Sequence, residues 1–467
     1  MHDGVQLDPQ NMLAPRLGGR GVEPARLAAT AARFAAVHQD VERRRAAGAL
    51  PFFDLPYARD TVKEILRFAR ETAGAFDTVV VLGIGGSALG TIALKQALLD
   101  PFWNELDGPG RGGRPRLYVL DNIDPTTLAP FLERLDLRRT LFNVVSKSGT
   151  TAETMAQFMI VRDRLARALP GTDDRRHLVF TTDPERGVLR RIAREEQIAT
   201  FPIPPGVGGR FSVLSAVGLL PAALTGIDID GLLDGARAMD ERCRTPELDA
   251  NPAGLFATLQ YLADTETGAP IHVLMAYSDR LIGVADWFRQ LWAESLGKRR
   301  DRAGAEVFRG PTPVRALGAT DQHSQVQLYI EGPFDKTITF LTLRESPVDL
   351  PIPRLYPEIE ALGYLGGHTL DELLRAECEA TAQALAREGR MNMTLSLPRL
   401  SAHALGQLFM LLEIATVYGG GLYDVDPLDQ PGVELGKRLT YRRMGRDGFQ
   451  DADDDADAAA PDARAGP

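Results

Sequence analysis

Apolar and amphipathic segments alternate along the first half of the chain. Five short apolar segments predict buried strands, at residues 78–83, 117–120, 141–146, 177–181 and 200–203. The amphipathic segments between them predict helices, at residues 87–99, 126–135, 151–169 and 184–196. Strands that alternate with helices usually form a parallel sheet with helices on both faces. We therefore expect an α/β unit here, preceded by a helix over residues 24–47.

A second unit with a similar pattern begins near residue 255. Its predicted strands lie at residues 271–277, 326–331 and 336–343, and the last two are joined through a turn at Gly332-Pro333. Its predicted helices cover residues 281–296, 369–387 and 402–418, and Gly419-Gly420-Gly421 is predicted to open a loop. Two α/β units in series are consistent with a divergent repeat.

Composition and charge narrow the class of protein. The chain has 467 residues, of which 44% are hydrophobic and 25% charged, as is typical of globular proteins. The net charge is −10, and residues 451–467 carry half of it with six Asp and one Arg. Because this tail is rich in Ala, Asp and Pro, we expect it to be disordered. An acidic chain without a basic block argues against a nucleic-acid partner.

Cysteine usage and hydropathy suggest a cytoplasmic protein. Cys243 and Cys378 lie far apart in sequence and predict neither a disulfide framework nor a thiolate metal site. No run of 18 apolar residues predicts a membrane span, and the first residues lack the pattern of a signal peptide. The seven histidines show no metal-ligand spacing, so we expect no metal.

A hydroxyl-rich segment follows the predicted strand that ends near residue 146. A strand that leads into such a turn at a helix start can hold a phosphate, because backbone N–H groups and the helix dipole both favour an anion there. Lys147 adds one positive charge. The alternative is a simple helix N-cap, which needs a single hydroxyl. Five hydroxyls within nine residues favour the anion site, namely Ser146, Ser148, Thr150, Thr151 and Thr154.

The segment from Gly83 to Ala88 follows a strand and opens a helix, as in the dinucleotide-binding fingerprint. That fingerprint expects an acidic residue about 20 positions further on, at the end of the second strand. Asp121 ends the second strand, but 38 residues after Gly83. The glycines could instead let a sugar or phosphate approach the backbone, with Ser87 as a donor. Close packing of a helix on a strand is the third interpretation.

An acidic residue lies near the end of the predicted helix at residues 281–296. Gln290 and Glu294 share one face, one turn apart, and Lys298 is expected to lie beyond the break at Gly297. The simple interpretation is a surface Glu–Lys pair. Trp287 and Trp292 indicate instead that the helix is buried, which favours a carboxylate that acts as a general base.

Two further segments carry polar groups of interest. His323 lies in a polar loop beside Asp321 and could transfer protons near neutral pH, although a lone loop histidine is usually a surface residue. Glu434 and Lys437 lie in a predicted short helix and could be an ordinary ion pair at i and i+3.

Together these segments resemble the glucose-6-phosphate isomerase (phosphoglucose isomerase) family. Six motifs occur in the family's order: GIGGS at 83–87, SKSGTTAET at 146–154, GGRFS at 208–212, ESLGK at 294–298, DQHS at 321–324 and DQPGVELGK at 429–437. The resemblance implies two sugar-isomerase (SIS-type) α/β domains, each a central parallel sheet flanked by helices. We place them at residues 51–245 and 246–448, after an N-terminal helical segment at 1–50 and before the acidic tail at 449–467.

The resemblance also implies an activity and a set of roles. The reaction is the interconversion of glucose 6-phosphate and fructose 6-phosphate through ring opening and a cis-enediol, without cofactor or metal. Glu294 matches the base that moves the proton, and Arg210 the cation that stabilises the enediolate. His323 matches the residue that opens the ring, aided by Lys437. Ser146, Lys147, Ser148, Thr151 and Thr154 match the phosphate loop. Gly86, Ser87, Gln290 and Gln430 match other substrate-contacting positions.

In this family the ring-opening histidine comes from the neighbouring subunit, so the resemblance implies a homodimer with a shared active site. One departure is Leu296, where many members carry Asn. Two other function classes stay open. One is a nucleotide-dependent dehydrogenase that uses residues 83–88, and the other is a non-catalytic SIS-type sensor of sugar phosphates. Activity on mannose 6-phosphate is also compatible with these residues.

Overall fold

The computed structural model describes residues 4–171 and 173–449. All but the first residue of the predicted acidic tail at 449–467 lies outside the described residues. The strands are β1 Gln6–Asp8, β2 Thr78–Leu82, β3 Arg116–Leu120, β4 Thr140–Val145, β5 Leu178–Thr182, β6 Ala199–Pro202, β7 Ile271–Ala276, β8 Lys298–Arg300, β9 Glu306–Arg309, β10 Thr312–Leu317, β11 Lys336–Leu343 and β12 Asn392–Leu397.

The helices of the described residues occupy most of the remaining chain. They are α1 Pro24–Ala46, α2 Arg59–Glu71, α3 Leu89–Leu98, α4 Pro125–Arg134, α5 Ala152–Ala168, α6 Val188–Glu196, α7 Ala216–Leu224, α8 Ile229–Arg242, α9 Pro252–Thr267, α10 Ile282–Leu296, α11 Val326–Glu331, α12 Glu360–Gly363, α13 Leu370–Arg387, α14 Ala402–Tyr423 and α15 Glu434–Arg443.

The first sheet contains five parallel strands in the order β3-β2-β4-β5-β6. Strands β2, β4 and β5 are buried along their whole length. Successive residues of β2 belong to two different apolar clusters, with Val79 and Val81 in one and Val80 and Leu82 in the other. Apolar material therefore covers both faces of this sheet, which confirms the predicted parallel α/β unit.

The second sheet has the order β1-β12-β11-β7-β10. Strands β10, β7, β11 and β12 are parallel, and β1 from the N-terminal segment pairs antiparallel with β12. In the first sheet, β2 has β3 on one side and β4 followed by β5 on the other. In the second sheet, β7 has β10 on one side and β11 followed by β12 on the other. The two units therefore share a strand order and differ at the fifth position, where β6 is parallel and β1 antiparallel.

One predicted strand is a helix in the structure. Residues 326–331 form α11, and the Tyr329 hydroxyl donates at 2.7 Å to Gln325 Oε1, about one helical turn earlier. The strand beside β7 is instead β10, which the sequence pattern did not predict because Pro313 and Arg315 interrupt its apolar residues. Pro313 is tolerated since β10 lies at the edge of the sheet. The turn at Gly332-Pro333 accordingly joins a helix to β11.

The predicted loop at Gly419-Gly420-Gly421 is also wrong, since all three glycines lie inside α14. A Cβ at Gly420 would lie 2.8 Å from Pro427, and one at Gly421 would lie 2.4 Å from Val37, so these positions admit close packing rather than a turn. Within the described residues, α14 is the one helix long and apolar enough to cross a membrane, but 94% of that stretch is buried inside the protein. Its environment is that of a core helix.

Candidate functional site

Two loops of the first sheet diverge from neighbouring strands. From β2 the chain crosses to β3 on one side, whereas from β4 it continues to β5 on the other. In open α/β sheets, ligands bind in the crevice that such a reversal leaves at the carboxyl ends of the strands. The loop after β2 carries the GIGGS motif and the loop after β4 carries SKSGTTAET, so both motifs flank this crevice.

The loop after β4 is held in shape by its own hydroxyl groups. The Gly149 N–H donates to Ser146 Oγ at 3.1 Å, and the Ser146 and Thr151 hydroxyls lie 3.1 Å apart. The Thr150 N–H and hydroxyl both lie within 3.2 Å of Ser148 Oγ. Gly149 has a φ of +64°, a conformation that glycine adopts without strain. The loop is therefore a preformed turn at the start of α5.

The simple N-cap interpretation of this loop does not fit the structure. Thr151 occupies the N-cap position of α5, but its side chain makes no capping hydrogen bond. Thr154, in the first turn, is 1% exposed, and its hydroxyl has no partner among the described residues. A helix start that its own cap leaves unsatisfied, beside a buried unpaired hydroxyl, is suited to an external anion.

The side chain of Lys147 holds the loop after β4 in place. Its ammonium donates to the Val207 carbonyl at 2.9 Å, which fixes the loop against the segment that leads to Arg210. Partial burial lowers the pKa of Lys147, and the nearby Asp183 carboxylate opposes that shift. The Lys147 side chain is therefore engaged within the protein.

Arg210 lies in the segment that packs against the GIGGS loop, and it is 3% exposed. Its Nε donates to Ser295 Oγ at 2.6 Å, and its Nη1 donates to Gln430 Oε1 at 2.9 Å. Its Nη2 donates to the carbonyls of Pro427 at 2.5 Å and Asp429 at 2.9 Å. Burial lowers the pKa of this guanidinium, but arginine stays charged in proteins. A rigid cation is thereby held by α10 and by the segment that precedes α15.

Glu294 is the carboxylate that faces this cation. Its Oε2 lies 3.8 Å from Arg210 Nη1, and its side chain is 24% exposed. Gln290, one turn earlier on α10, donates to Glu294 Oε2 at 3.1 Å, and its own Oε1 is buried without a partner among the described residues. The predicted sharing of one helix face by Gln290 and Glu294 is confirmed.

Lys298 does not form the surface pair with the Glu294 carboxylate that the simple interpretation required. Its ammonium donates to the Glu294 carbonyl at 3.0 Å and to the Asp429 carbonyl at 2.5 Å, and it lies 2.9 Å from the Asp429 carboxylate. Burial lowers the pKa of Lys298, while the Asp429 carboxylate opposes the shift. Beyond the surface pair, no role was predicted for Lys298, and none was predicted for Asp429; only the ESLGK and DQPGVELGK motifs include them.

Close backbone approach explains the glycines of the GIGGS motif. A Cβ at Gly86 would lie 2.2 Å from the Gly209 carbonyl carbon, and one at Gly85 would lie 3.0 Å from Gln290 Nε2. Ser87 ends the 3-10 turn Gly85–Ser87. The motif therefore packs against the Arg210 segment and against α10, so the requirement for glycine at position 86 is one of packing.

Among the residues that the structure describes, no hydrogen bond or ion pair joins His323 or Lys437 to Glu294. His323 is exposed in the 3-10 turn Thr320–His323, and no hydrogen bond or ion pair among the described residues joins it to the crevice. Asp321 accepts from the Leu317 N–H at 2.7 Å and the Ser324 hydroxyl at 2.6 Å instead of orienting the imidazole. Burial raises the pKa of Asp321, but these hydrogen bonds outweigh it and hold that pKa below its usual value.

Lys437 forms the ordinary ion pair that its spacing indicated. Its ammonium lies 2.8 Å from Glu434 Oε1, and both side chains are about half exposed on α15. On the same helix, the Tyr441 hydroxyl lies 3.5 Å from the carbonyl of Thr150 in the loop after β4. Among residues 4–171 and 173–449, no group of three or more His, Cys, Asp or Glu side chains is arranged to hold a metal ion.

The amino-acid sequence is similar to those of known enzymes. The chain is 46% identical over 448 residues to a glucose-6-phosphate isomerase of Carboxydothermus hydrogenoformans, with 96% of each chain covered. It is 49% identical over 401 residues to the enzyme of the same name from Rubrobacter xylanophilus, covering 85% of this chain and 90% of that one.

Solved structures agree with these relatives. A hypothetical protein from Thermus thermophilus superposes with a TM-score of 0.84 at 41% identity, covering 94% of this chain and 99% of that one. A glucose-6-phosphate isomerase from Chlamydia trachomatis superposes with a TM-score of 0.73 at 26% identity, covering 86% and 76%. The family model for phosphoglucose isomerase matches residues 66–456. The resemblance carried by the six motifs is thereby confirmed, and the chain belongs to the phosphoglucose isomerase family.

Proposed function

We propose that this chain is an intramolecular oxidoreductase that interconverts glucose 6-phosphate and fructose 6-phosphate. The observation that carries the proposal is the Glu294 carboxylate held 3.8 Å from the buried Arg210 guanidinium. The preformed turn after β4 supports it. Relatives that are 46% and 49% identical bear the name of this enzyme. The dehydrogenase alternative has no support, since the glycine motif packs against the Arg210 segment. The sensor alternative has none either, since both proposed acid–base residues, Glu294 and His323, are present.

The proton transfer needs one carboxylate and one cation. With the ring open, Glu294 removes the proton from C2 of glucose 6-phosphate, and the electron pair forms the enediolate. The proton is then returned to C1, which gives the ketose. In the same conversion, one proton moves from the hydroxyl oxygen on C2 to the carbonyl oxygen on C1. A positioned carboxylate can serve both carbons in turn. Arg210 stabilises the charge that develops on the oxygens, because its geometry is fixed before the reaction begins. No step requires a cofactor or a metal.

The phosphate end of the substrate anchors the reacting carbons. The backbone N–H groups at the start of α5 and the hydroxyls of the loop after β4 surround the place where an anion fits. We assign phosphate binding to Ser146, Lys147, Ser148, Thr151 and Thr154, and contacts to the sugar to Gly86, Ser87, Gln290 and Gln430. Binding energy from the non-reacting phosphate can then be used to position C1 and C2.

Ring opening is assigned to His323 of the partner subunit, aided by Lys437, in a homodimer. Two observations support a second copy of the chain. His323 is exposed, and within the described part of the chain it makes no hydrogen bond or ion pair with Glu294, Gln290 or Arg210. The segment at residues 346–370 also exposes large apolar side chains, including Val348 at 75% and Tyr364 at 67%. Apolar groups concentrated in this way mark an interaction surface.

The cellular setting follows from the same reaction. We place the enzyme in the cytoplasm, in glycolysis and gluconeogenesis, with neither nucleic acid nor membrane as a partner. The two cysteines are buried and unpaired, which suits a reducing compartment. Activity on mannose 6-phosphate stays a separate possibility, for which competition between the two substrates is the measurement.

The first test is the formation of fructose 6-phosphate from glucose 6-phosphate by the purified chain, with EDTA and without nucleotide. Glu294→Gln should lower kcat by about 10²–10⁴-fold, since it removes the general base. Binding of a non-reacting sugar phosphate should persist in that variant. Glu64→Gln is the matched control, because Glu64 is an exposed residue of α2. Near-normal turnover by Glu294→Gln would refute the assignment.

A further inference from the structure

The second sheet has its own crevice, formed by the same reversal of strand order. From β7 the chain reaches β10 on one side and β11 on the other, so the loops after β7 and β11 diverge. A cavity of about 960 Å³ lies here, lined by Tyr277 and Ser278 after β7 and by Thr342 and Leu343 at the end of β11. Helix α13 forms one wall. The volume is within the range of small-molecule sites.

The floor of this cavity is polar. Strand register places Met275, Phe340, Thr394 and Asp8 side by side across the sheet, on the same face. Met275 and Phe340 belong to an apolar cluster with residues of α13, whereas Thr394 and Asp8 line the cavity. The hydroxyls of Thr342 and Thr394 have no hydrogen-bond partner within residues 4–171 and 173–449. A parallel sheet normally buries apolar residues on both faces, so an uncovered polar floor is unusual.

The walls of the cavity are basic. Five arginines line it, against three acidic residues, in a chain whose net charge is −10. Arg280 donates to carbonyls at the end of α3, and Arg375 is paired with Asp371. Arg16 and Arg387 make no side-chain hydrogen bond or ion pair with any residue that the structure describes. Two cations therefore line the cavity without an ion pair to a protein carboxylate, beside unpaired hydroxyl groups, although Asp8 and Glu379 line it as well.

We propose that this cavity is a second ligand site, which binds a small hydroxylated organic phosphate. Arg16 and Arg387 receive the phosphate, and the hydroxyls of Thr342 and Thr394 bind those of the ligand. A guanidinium fork matches phosphate geometry, and threonine can both donate to and accept from an alcohol. The exposed segment at residues 346–370 of a second copy is a poorer occupant. Its large apolar side chains do not match a polar floor and unpaired cations.

The test is a calorimetric titration of the full chain with glycerol 3-phosphate, with inorganic phosphate in parallel. We expect two classes of site in the wild type. The double variant Arg16→Ala/Arg387→Ala should weaken one class at least about tenfold, because each arginine supplies a charge-assisted hydrogen bond. The KM for glucose 6-phosphate should not change. The control Arg59→Ala/Arg67→Ala removes the same charge from exposed positions of α2 and should retain both classes.

A third variant separates the phosphate from the hydroxyl groups. Thr394→Val keeps the shape of the side chain and should weaken glycerol 3-phosphate while leaving inorganic phosphate unaffected. A single class of site in the wild type, or two classes that persist in Arg16→Ala/Arg387→Ala, would overturn the proposal. The second class of site could instead disappear at protein concentrations where the chain dimerises. That result would show that another copy of the chain covers the cavity, and it too would overturn the proposal.

Discussion

The two sheets share one strand order but present different chemistry at their crevices. In the first, the loop after β4 is a short turn closed by Ser146 and Gly149, which leads straight into α5. In the second, the chain that follows β11 runs through residues 344–369 before α13 begins. The first crevice is thus bordered by a preformed turn, to which we assign phosphate binding, and the second is an open cavity with basic walls. The comparison teaches that topology fixes where a ligand site can form, whereas loop residues decide its chemistry.

The most severe test of the first crevice is Gly86→Ala. The added Cβ would lie 2.2 Å from the Gly209 carbonyl carbon, so the backbone that carries Arg210 must move. We expect a loss of about 1–3 kcal/mol in the free energy of unfolding and at least about a hundredfold lower kcat/KM. Urea unfolding and steady-state kinetics measure both. Gly108→Ala is the control, since nothing lies within 4 Å of its Cβ; equal effects in the two variants would contradict the packing argument.

Two arginine-to-lysine changes compare the crevices directly. Arg210→Lys should lower kcat about 10²–10³-fold, because lysine cannot reproduce the fixed donors to Ser295 and Gln430. Arg280→Lys should leave kcat unchanged and lower only the melting temperature, because Arg280 joins the second crevice to the end of α3. A similar loss of kcat in both would show that the second crevice takes part in catalysis.

A milder change affects the phosphate loop. Ser146→Ala removes the acceptor of the Gly149 N–H and should raise the KM for glucose 6-phosphate about tenfold, with little change in kcat. The equivalent change in the second crevice, Thr342→Val, should leave both constants unchanged. Steady-state kinetics on the two variants decide the matter. A fall in kcat without a change in KM for Ser146→Ala would place the loop in the chemical step instead of in anchoring.

The smallest expected effect is a pH dependence of stability. Burial lowers the pKa of Lys147 in the folded state, so around that lowered pKa the unfolded chain binds more protons than the folded one. The free energy of unfolding of the wild type should therefore rise, relative to Lys147→Met, as the pH increases towards about 10. The cations that line the cavity of the second crevice are all arginines, which do not titrate in this pH range. Arg387→Met should therefore add no such pH dependence of the free energy of unfolding. Urea unfolding at several pH values measures the difference; parallel curves for Lys147→Met would contradict it.

The sequence predicted the first sheet well because its central strands are continuous apolar segments. It predicted the second sheet poorly for three physical reasons. Pro313 and Arg315 interrupt the apolar pattern of β10. The α11 segment is a short apolar run, which fits either a strand or a helix. Strand β1 has only three residues, too few to show a pattern. Strand β12 was also missed, although its burial alternates partly with period two, and that signal was available.

The sequence predicted which residues belong to the candidate site better than it predicted their contacts. Motif order placed Arg210, Glu294 and the phosphate loop together, and the structure shows Arg210 beside Glu294. The partner of Lys298 could not be predicted, because Asp429 lies 131 residues further along the chain and no local spacing connects them. The same limit applies to Lys147, whose contact with Val207 depends on tertiary structure.

The pairing of β1 with β12 joins Gln6 to Ser396, across nearly the whole described chain. During synthesis the N-terminal strand leaves the ribosome first, yet its place in the sheet exists only after residue 397 has been made. The first sheet, whose strands lie between residues 78 and 202, can assemble long before that. Closure of the second sheet is thus a late step of folding with high contact order, and until then β12 has an open edge.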